Sequence, residues 1–366
     1  MTRYKLLILL MLFAGMVGQA FAGDPVVKTI ERSFPLSANG QLEIKNTYGK
    51  VDIQSWNQAR TEITVTITVK SRSDQKAREI MEMIAIQFDH SGDRVKAETI
   101  LKRGGSWWSS GQWKNVEFSI DYQVRMPASA MLDLTNKYGN LYIDQLTGKA
   151  VIRLAYGHLQ IGTLSGDTQL TMDYSKGSIG NLGDGRLYLS YSQLKCQNGD
   201  NLEVDSKYSQ LDMANAARLR FHSKYDQLRL QQVNELEIDG KYDEVTIERT
   251  DVCKIHAAYT NVEIDELGKG LRADLDYGNL AVREVAPRFH EVTLHTRYTD
   301  VKLWMNRSAS YQLDARAQYT GIQVPSGFTD TERRKDGANM RLAGHQGDRN
   351  GGMIKADIQY GSFKIQ

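Results

Sequence analysis

Charge of one sign is the first thing this sequence lacks: 46 Lys and Arg stand against 44 Asp and Glu, a formal net charge of +2 at pH 7. A nucleic-acid binder normally concentrates basic residues on one face, so nucleic acid is not an expected partner. Long apolar runs are missing after the N-terminus. None approaches the roughly 20 residues that a membrane-spanning helix needs, so no transmembrane segment is expected in the mature chain. Chemical signatures are missing too. There is no Gly-Gly-x-Gly-x-Asp calcium nonapeptide, no zinc-type cysteine–histidine spacing and no Gly-x-Ser-x-Gly elbow. No metal, cofactor or catalytic residue is therefore assigned, and the chain is expected not to be an enzyme.

What is present begins with a processing signal. Arg3 and Lys5 form a basic start, residues 6–17 are apolar, and Ala20-Phe21-Ala22 supplies the small-x-small cleavage pattern. Residues 1–22 are read as a signal peptide cleaved near Ala22. No cysteine follows the apolar stretch, so a lipoprotein anchor is not indicated. An exported protein is expected, periplasmic or at the cell surface.

The dominant feature is a tyrosine repeat. Tyr138, Tyr156, Tyr174, Tyr191, Tyr208, Tyr225, Tyr242, Tyr259, Tyr277, Tyr298 and Tyr319 recur mostly every 17 or 18 residues, and Tyr48 and Tyr360 have similar surroundings. Apolar residues stand three and five positions after the tyrosines, as Leu228 and Leu230 or Val245 and Ile247 do; the Tyr174 coil departs, with Gly177 in the first slot and Ile179 in the second. Apolar residues also alternate before the tyrosines, as Leu219 and Phe221 do before Tyr225. Period-two alternation denotes strands with one buried face. The phase slips just after the tyrosine, at Gly, Ser, Asp or Thr, which implies a bend or bulge. Two short strands and two turns leave no room for a helical crossover. The predicted fold is all-β: a single-stranded parallel β-helix or solenoid with 17–18-residue coils, right-handed as parallel crossovers generally are.

Stacked coils must also tolerate their columns. Three positions before successive tyrosines stand Asp205, His222, Asp239, His256, Asp274 and His295; five before stand Glu203, Arg220, Glu237, Lys254 and Arg272. Two positions after, Gln193, Gln210 and Gln227 line up, followed later by Asn261 and Asn279. Coils about 4.8 Å apart favour opposite charges in register. Lys207, Lys224 and Lys241 break that rule and must rely on solvation. Carboxylates above and below favour the imidazolium, which makes the Asp/His column a candidate pH-responsive ladder, with electrostatic register as the plainer reading. Stacked tyrosines are expected to supply packing and register along one corner or inner face, because their phase matches the apolar positions before them. A carbohydrate-binding track would require rings that face solvent. Cys196 and Cys253 lie four coils apart, about 19 Å, beyond disulfide reach. Two buried free thiols are predicted.

Residues 23–130 are less regular and read as a strand-rich N-terminal cap, which shields an open solenoid end. A short helix is expected from Ser73 to Met83, with Ser73 as N-cap and Ala77, Ile80, Met81 and Ile84 on one face. Trp107, Trp108 and Trp113, in a Gly/Ser-rich loop, form a candidate binding loop; the plainer reading folds those rings back on the cap. Residues 131–366 form the solenoid. A polar insertion at 327–352 is expected to be a solvated loop, after which a last coil, 354–365, closes or exposes the end.

The segment Tyr48-Gly-Lys-Val-Asp-Ile-x-x-Trp56 and repeats such as Asn136-Lys137-Tyr138-Gly139-Asn140-Leu141, with the N-terminal signal, resemble the bacterial "putative adhesin" family of exported β-helical domains, common in Bacteroidota envelope proteins. The resemblance spans about residues 30–366. It implies the fold and carries no catalytic set. The leading expectation is a non-enzymatic adhesin-like or scaffold module of the cell envelope that binds through solenoid faces or loops, to an envelope protein or glycan, with self-association open. Two rivals stand beside it. One is a polysaccharide-active β-helix enzyme, which needs two convergent carboxylates in a cleft. The other is an envelope-stress sensor that binds membrane or peptide through the tryptophan loop.

Overall fold

The computed structural model describes residues 24–102 and 116–366. Each coil consists of two strand stretches meeting at a tyrosine corner. In the stretch Gln210–Lys224, the inward residues are Leu211, Met213 and Ala216, then Leu219 and Phe221 after the second turn. The next stretch, Gln227–Lys241, pairs with it in parallel: Leu211 faces Leu228 and Phe221 faces Ile238. The same relation joins Gln193–Lys207, Glu244–Ala258 and Asn261–Val285 to their neighbours. Residues one repeat apart therefore lie directly above one another. The chain is a β-solenoid of about 10 turns.

Stacking turns each inward position into an apolar column. Leu211, Leu228, Val245 and Val262 are at most 2% exposed and belong to one continuous core running between the two sheet faces. Burying such a side chain contributes about 1.5–3 kcal/mol. No coil could bury these positions alone, because its roof and floor come from its neighbours.

The N-terminal end is capped. Gln41–Thr47 and Val51–Trp56 form the first coil, paired in parallel with the coil of Tyr138. On the other side they receive Arg94–Leu101 and Val116–Pro127, also in parallel. Beyond those, Ile84–Ser91 pairs antiparallel with Arg94–Leu101, Arg60–Ser71 antiparallel with Val116–Pro127, and Val26–Pro35 antiparallel with Arg60–Ser71. The helix Asp74–Met83 forms as its sequence predicts. The Ser73 side chain accepts from the Lys76 N–H, and Ala77, Ile80 and Met81 are buried.

The C-terminal end departs from expectation. Gly352–Gln359 does not sit on the far side of the preceding coil. It lies between two earlier strands: Ile354 faces Val292 of Glu291–Met305 on one side and Leu313 of Tyr311–Gln318 on the other. The segment read as a solvated loop is a hairpin of Thr329–Asp336 and Asn339–Gln346, whose second strand pairs antiparallel with Tyr311–Gln318. The physical reason is the edge. Without the hairpin, the last parallel strand would present unpaired N–H and C=O groups. Every residue of Thr329–Asp336 is exposed, and its run Glu332-Arg333-Arg334-Lys335 leaves a charged outer strand that discourages further pairing.

Candidate functional site: the tyrosine ridge

The tyrosines are not inside. Among the described residues, thirteen non-glycine residues have positive φ, between 49° and 65°, and all are the repeat tyrosines. Twelve are 41–57% exposed, while Tyr48 is half-buried. This corrects the expectation that their phase would keep them covered. A left-handed residue reverses the direction of its side chain, so parity counted along the preceding strand fails at the tyrosine itself. Such a conformation costs about 1–2 kcal/mol outside glycine. The rings offset part of that cost by stacking, with centroids 4.5–5.1 Å apart and planes within 12°. The stack runs from Tyr48, edge-on to Phe118, to Tyr298, then Tyr360, then Tyr319. Each inner ring has both faces covered by neighbours. The ridge therefore offers ring edges and hydroxyls to solvent.

After seven of the tyrosines the next residue turns inward and forms a second column: Ser175, Ser192, Ser209, Asp226, Asp243, Thr260 and Thr299 are all buried. All but Thr299 accept a backbone N–H from the adjacent coil through their side chains. Ser192 N–H donates to Ser209 Oγ (3.0 Å), Ser209 N–H to Asp226 Oδ1 (2.6 Å) and Asp226 N–H to Asp243 Oδ1 (2.8 Å). The sequence marked these positions only as a turn; their hydrogen-bonding role depends on a neighbour 17 residues away. Burial pushes the Asp226 carboxyl up to about 6, and Asp243 is also raised, again chiefly by burial. Two adjacent carboxyls with raised values resemble an acid/base pair, but their oxygens are engaged. Lys224 N–H donates to Asp226 Oδ2 (3.0 Å) and Ser223 Oγ to Asp243 Oδ2 (2.8 Å). At 5% and 4% exposure they serve the corner.

Two open grooves flank the ridge. One, of 760 Å³, is lined by Lys224, Lys241, Asp239, His256, Asp274 and His295 among others. The register brings the predicted Asp/His column together: Asp205 faces His222, then Asp239, His256, Asp274 and His295 follow, and Asp357 of the inserted coil extends it. His295 Nδ1 lies 3.0 Å from Asp274 Oδ1. Nearby Asp276 is held below the usual carboxylate range by its hydrogen bonds with Arg297. The expected charge alternation also appears as ion pairs, Arg186–Glu203 at 2.7 Å and Arg220–Glu237 at 3.4 Å. Lys207, Lys224 and Lys241 do stand in register.

The second groove, of 840 Å³, runs along the other flank from Tyr191 to Tyr259. It contains Gln193, Gln210 and Gln227, which line up as predicted, with Glu244 and Asn261 continuing the column. Cys196 and Cys253 are free and buried, as the coil count required, and burial pushes both thiols up to about 12. Trp107, Trp108 and Trp113 lie outside the described residues, as does the segment 1–22.

The Toastrack DUF4097 family model matches residues 33–349. The chain belongs to this family. That membership agrees with the likeness carried by residues 48–56 and 136–141. No curated relative matches the Toastrack chain. Among solved structures it is similar to a putative cell adhesion protein from Clostridium sporogenes, at 12% identity and a TM-score of 0.17, covering 92% of this chain and 99% of that one. A putative adhesin from Parabacteroides distasonis matches at 11% identity and a TM-score of 0.35, covering 71% and 97%. A putative lipid binding protein from the same species matches at 10% identity and a TM-score of 0.25, covering 94% and 98%. These scores carry no argument about what this Toastrack domain binds.

Proposed function

We propose that the chain is a non-enzymatic, exported, adhesin-like module of the cell envelope that engages its partner along the flank of the solenoid. The observation that carries this reading is the exposed ridge of stacked tyrosines between two open grooves. Aromatic rings are ordinarily placed where they bury most of their surface, and a continuous exposed row of them marks an interaction surface. The grooves are long and shallow and follow the repeat, which suits an extended partner better than a small substrate held for chemistry. Among the described residues, no helix is long and apolar enough to cross a membrane, and no cluster of His, Cys, Asp and Glu could hold a metal. Export rests on the basic and apolar N-terminal segment with its Ala20-Phe21-Ala22 site.

The test is co-sedimentation of the purified mature protein with envelope fractions, alongside assays for polysaccharide cleavage. Saturable sedimentation without cleavage is expected. Turnover of any polysaccharide, or no association with envelope material, would overturn the reading. N-terminal sequencing of the protein from extracytoplasmic fractions tests export, with a start just after Ala22 expected.

A further inference from the structure

We infer that the glutamine-side groove of the tyrosine ridge is a binding track for a neutral, linear polysaccharide lying parallel to the solenoid axis. The inference rests on the adhesin-like reading and names its ligand class. Its first support is periodicity. Across the groove each coil contributes one phenol edge and one amide or carboxylate, and the rings recur every 4.7–5.0 Å. An unbranched sugar chain, which repeats on a similar length scale, would meet equivalent groups at every step.

The groups themselves give the second support. Tyrosine hydroxyls and side-chain amides both donate and accept, which matches the hydroxyls of a sugar. In the free protein Gln210 Nε2 donates to Asp212 (2.9 Å) and Gln227 Nε2 to Glu244 (2.8 Å). Their carbonyl oxygens retain acceptor capacity. Because neighbouring rings cover each other's faces, a sugar cannot stack on the inner rings and recognition must come from polar contacts.

Charge and backbone exclude the main competitors. Among the described residues, no Lys or Arg lines this groove, while Glu244 is exposed on it and Asp226 and Asp243 lie beneath. An anionic glycan would meet only like charge there. A peptide that binds by adding a strand needs an open edge. The backbone flanking this groove is paired with the coils above and below, so it offers none.

The experiment is calorimetric titration of the mature protein with linear glucan and chitin hexasaccharides and an oligogalacturonate of equal length. At least one neutral hexasaccharide is expected to bind, more tightly than its shorter homologues, with the oligogalacturonate at least about tenfold weaker. The triple variant Tyr208→Phe, Tyr225→Phe, Tyr242→Phe keeps the rings and removes three hydroxyls. It is expected to lose about 10- to 100-fold in affinity with an unchanged circular dichroism spectrum. Should that variant fail to fold, Tyr225→Phe alone, expected to lose about 3- to 10-fold, carries the same test. No binding of either neutral chain, unchanged affinity in the Phe variants, or preference for the oligogalacturonate overturns the assignment. Co-sedimentation with envelope fractions separates the two levels. If wild type and triple variant sediment equally, the adhesin-like reading stands and this groove is wrong. If wild type does not sediment, the broader reading fails.

Discussion

Replacing Asp226 by serine removes a buried carboxyl while restoring the residue type found one, two and three coils away at Ser209, Ser192 and Ser175. The serine hydroxyl should accept from the Ser209 N–H, as Ser209 Oγ accepts from Ser192, and donate to the Lys224 carbonyl, as Ser209 Oγ donates to Lys207. The gain comes from ionisation. The Asp226 carboxyl titrates at 3.8 when free and at about 6 in the fold. A folded value raised above the unfolded one means that the folded state holds the proton more tightly. That contribution to stability is fully present below pH 3.8 and is lost as pH rises through about 6. At about 1.4 kcal/mol per pH unit, the interval is worth about 3 kcal/mol for this 5% exposed group. Repulsion from the neighbouring Asp243 carboxylate is already part of that raised value. Urea unfolding of wild type and Asp226→Ser, followed by circular dichroism from about pH 4 to about pH 7.5, isolates the effect. Lost packing and the lost Lys224 bond shift the difference by a pH-independent amount. The variant's relative stability should rise by about 2.5 kcal/mol across that range. A difference that stays flat, or moves the other way, would refute the argument that this carboxyl is buried at a cost.

Three further outcomes follow from the corners and the core. Gly139→Ala would place a methyl 1.8 Å from the Gly49 carbonyl oxygen, so the coils must separate; a loss of several kcal/mol, or failure to fold, is expected in urea titration. Tyr225→Ala should be more destabilising than Tyr225→Gly by about 1 kcal/mol, the reverse of the usual order in a strand, because alanine keeps the left-handed strain at φ 60°. Equal midpoints would show that the corner is not strained. Cys196 and Cys253, buried and with thiols raised to about 12, should resist iodoacetamide at neutral pH in the folded protein and react fully in urea. Mass spectrometry reads that contrast directly.

Much of the architecture was legible because its rules are local and repeat. The alternation around Leu219, Phe221, Leu228 and Leu230 required strands, and the 17-residue offset predicted which residues would meet. The Ser73 cap and the apolar face of Ala77, Ile80 and Met81 required one helix. The Asp/His column and the Gln193, Gln210, Gln227 row were visible before any coordinates. The exposed tyrosine ridge was not, since counting by twos assumes that every residue stays in the β region. The buried serine, aspartate and threonine column was seen only as turn chemistry, because its hydrogen-bond partners come from another coil.

Sequence alone determined the repeat length, the strand character, the identity of the columns and the separation of the two cysteines, because each follows from periodicity and spacing. Only the tertiary structure decided which way the tyrosines point, that Gly352–Gln359 inserts between two earlier strands, and that a charged hairpin covers the final edge. Those outcomes depend on a backbone reversal, whose only trace in the chain is a phase slip that does not say which way the ring points, and on unpaired hydrogen-bonding groups at the end of the stack, which leave no periodic trace at all.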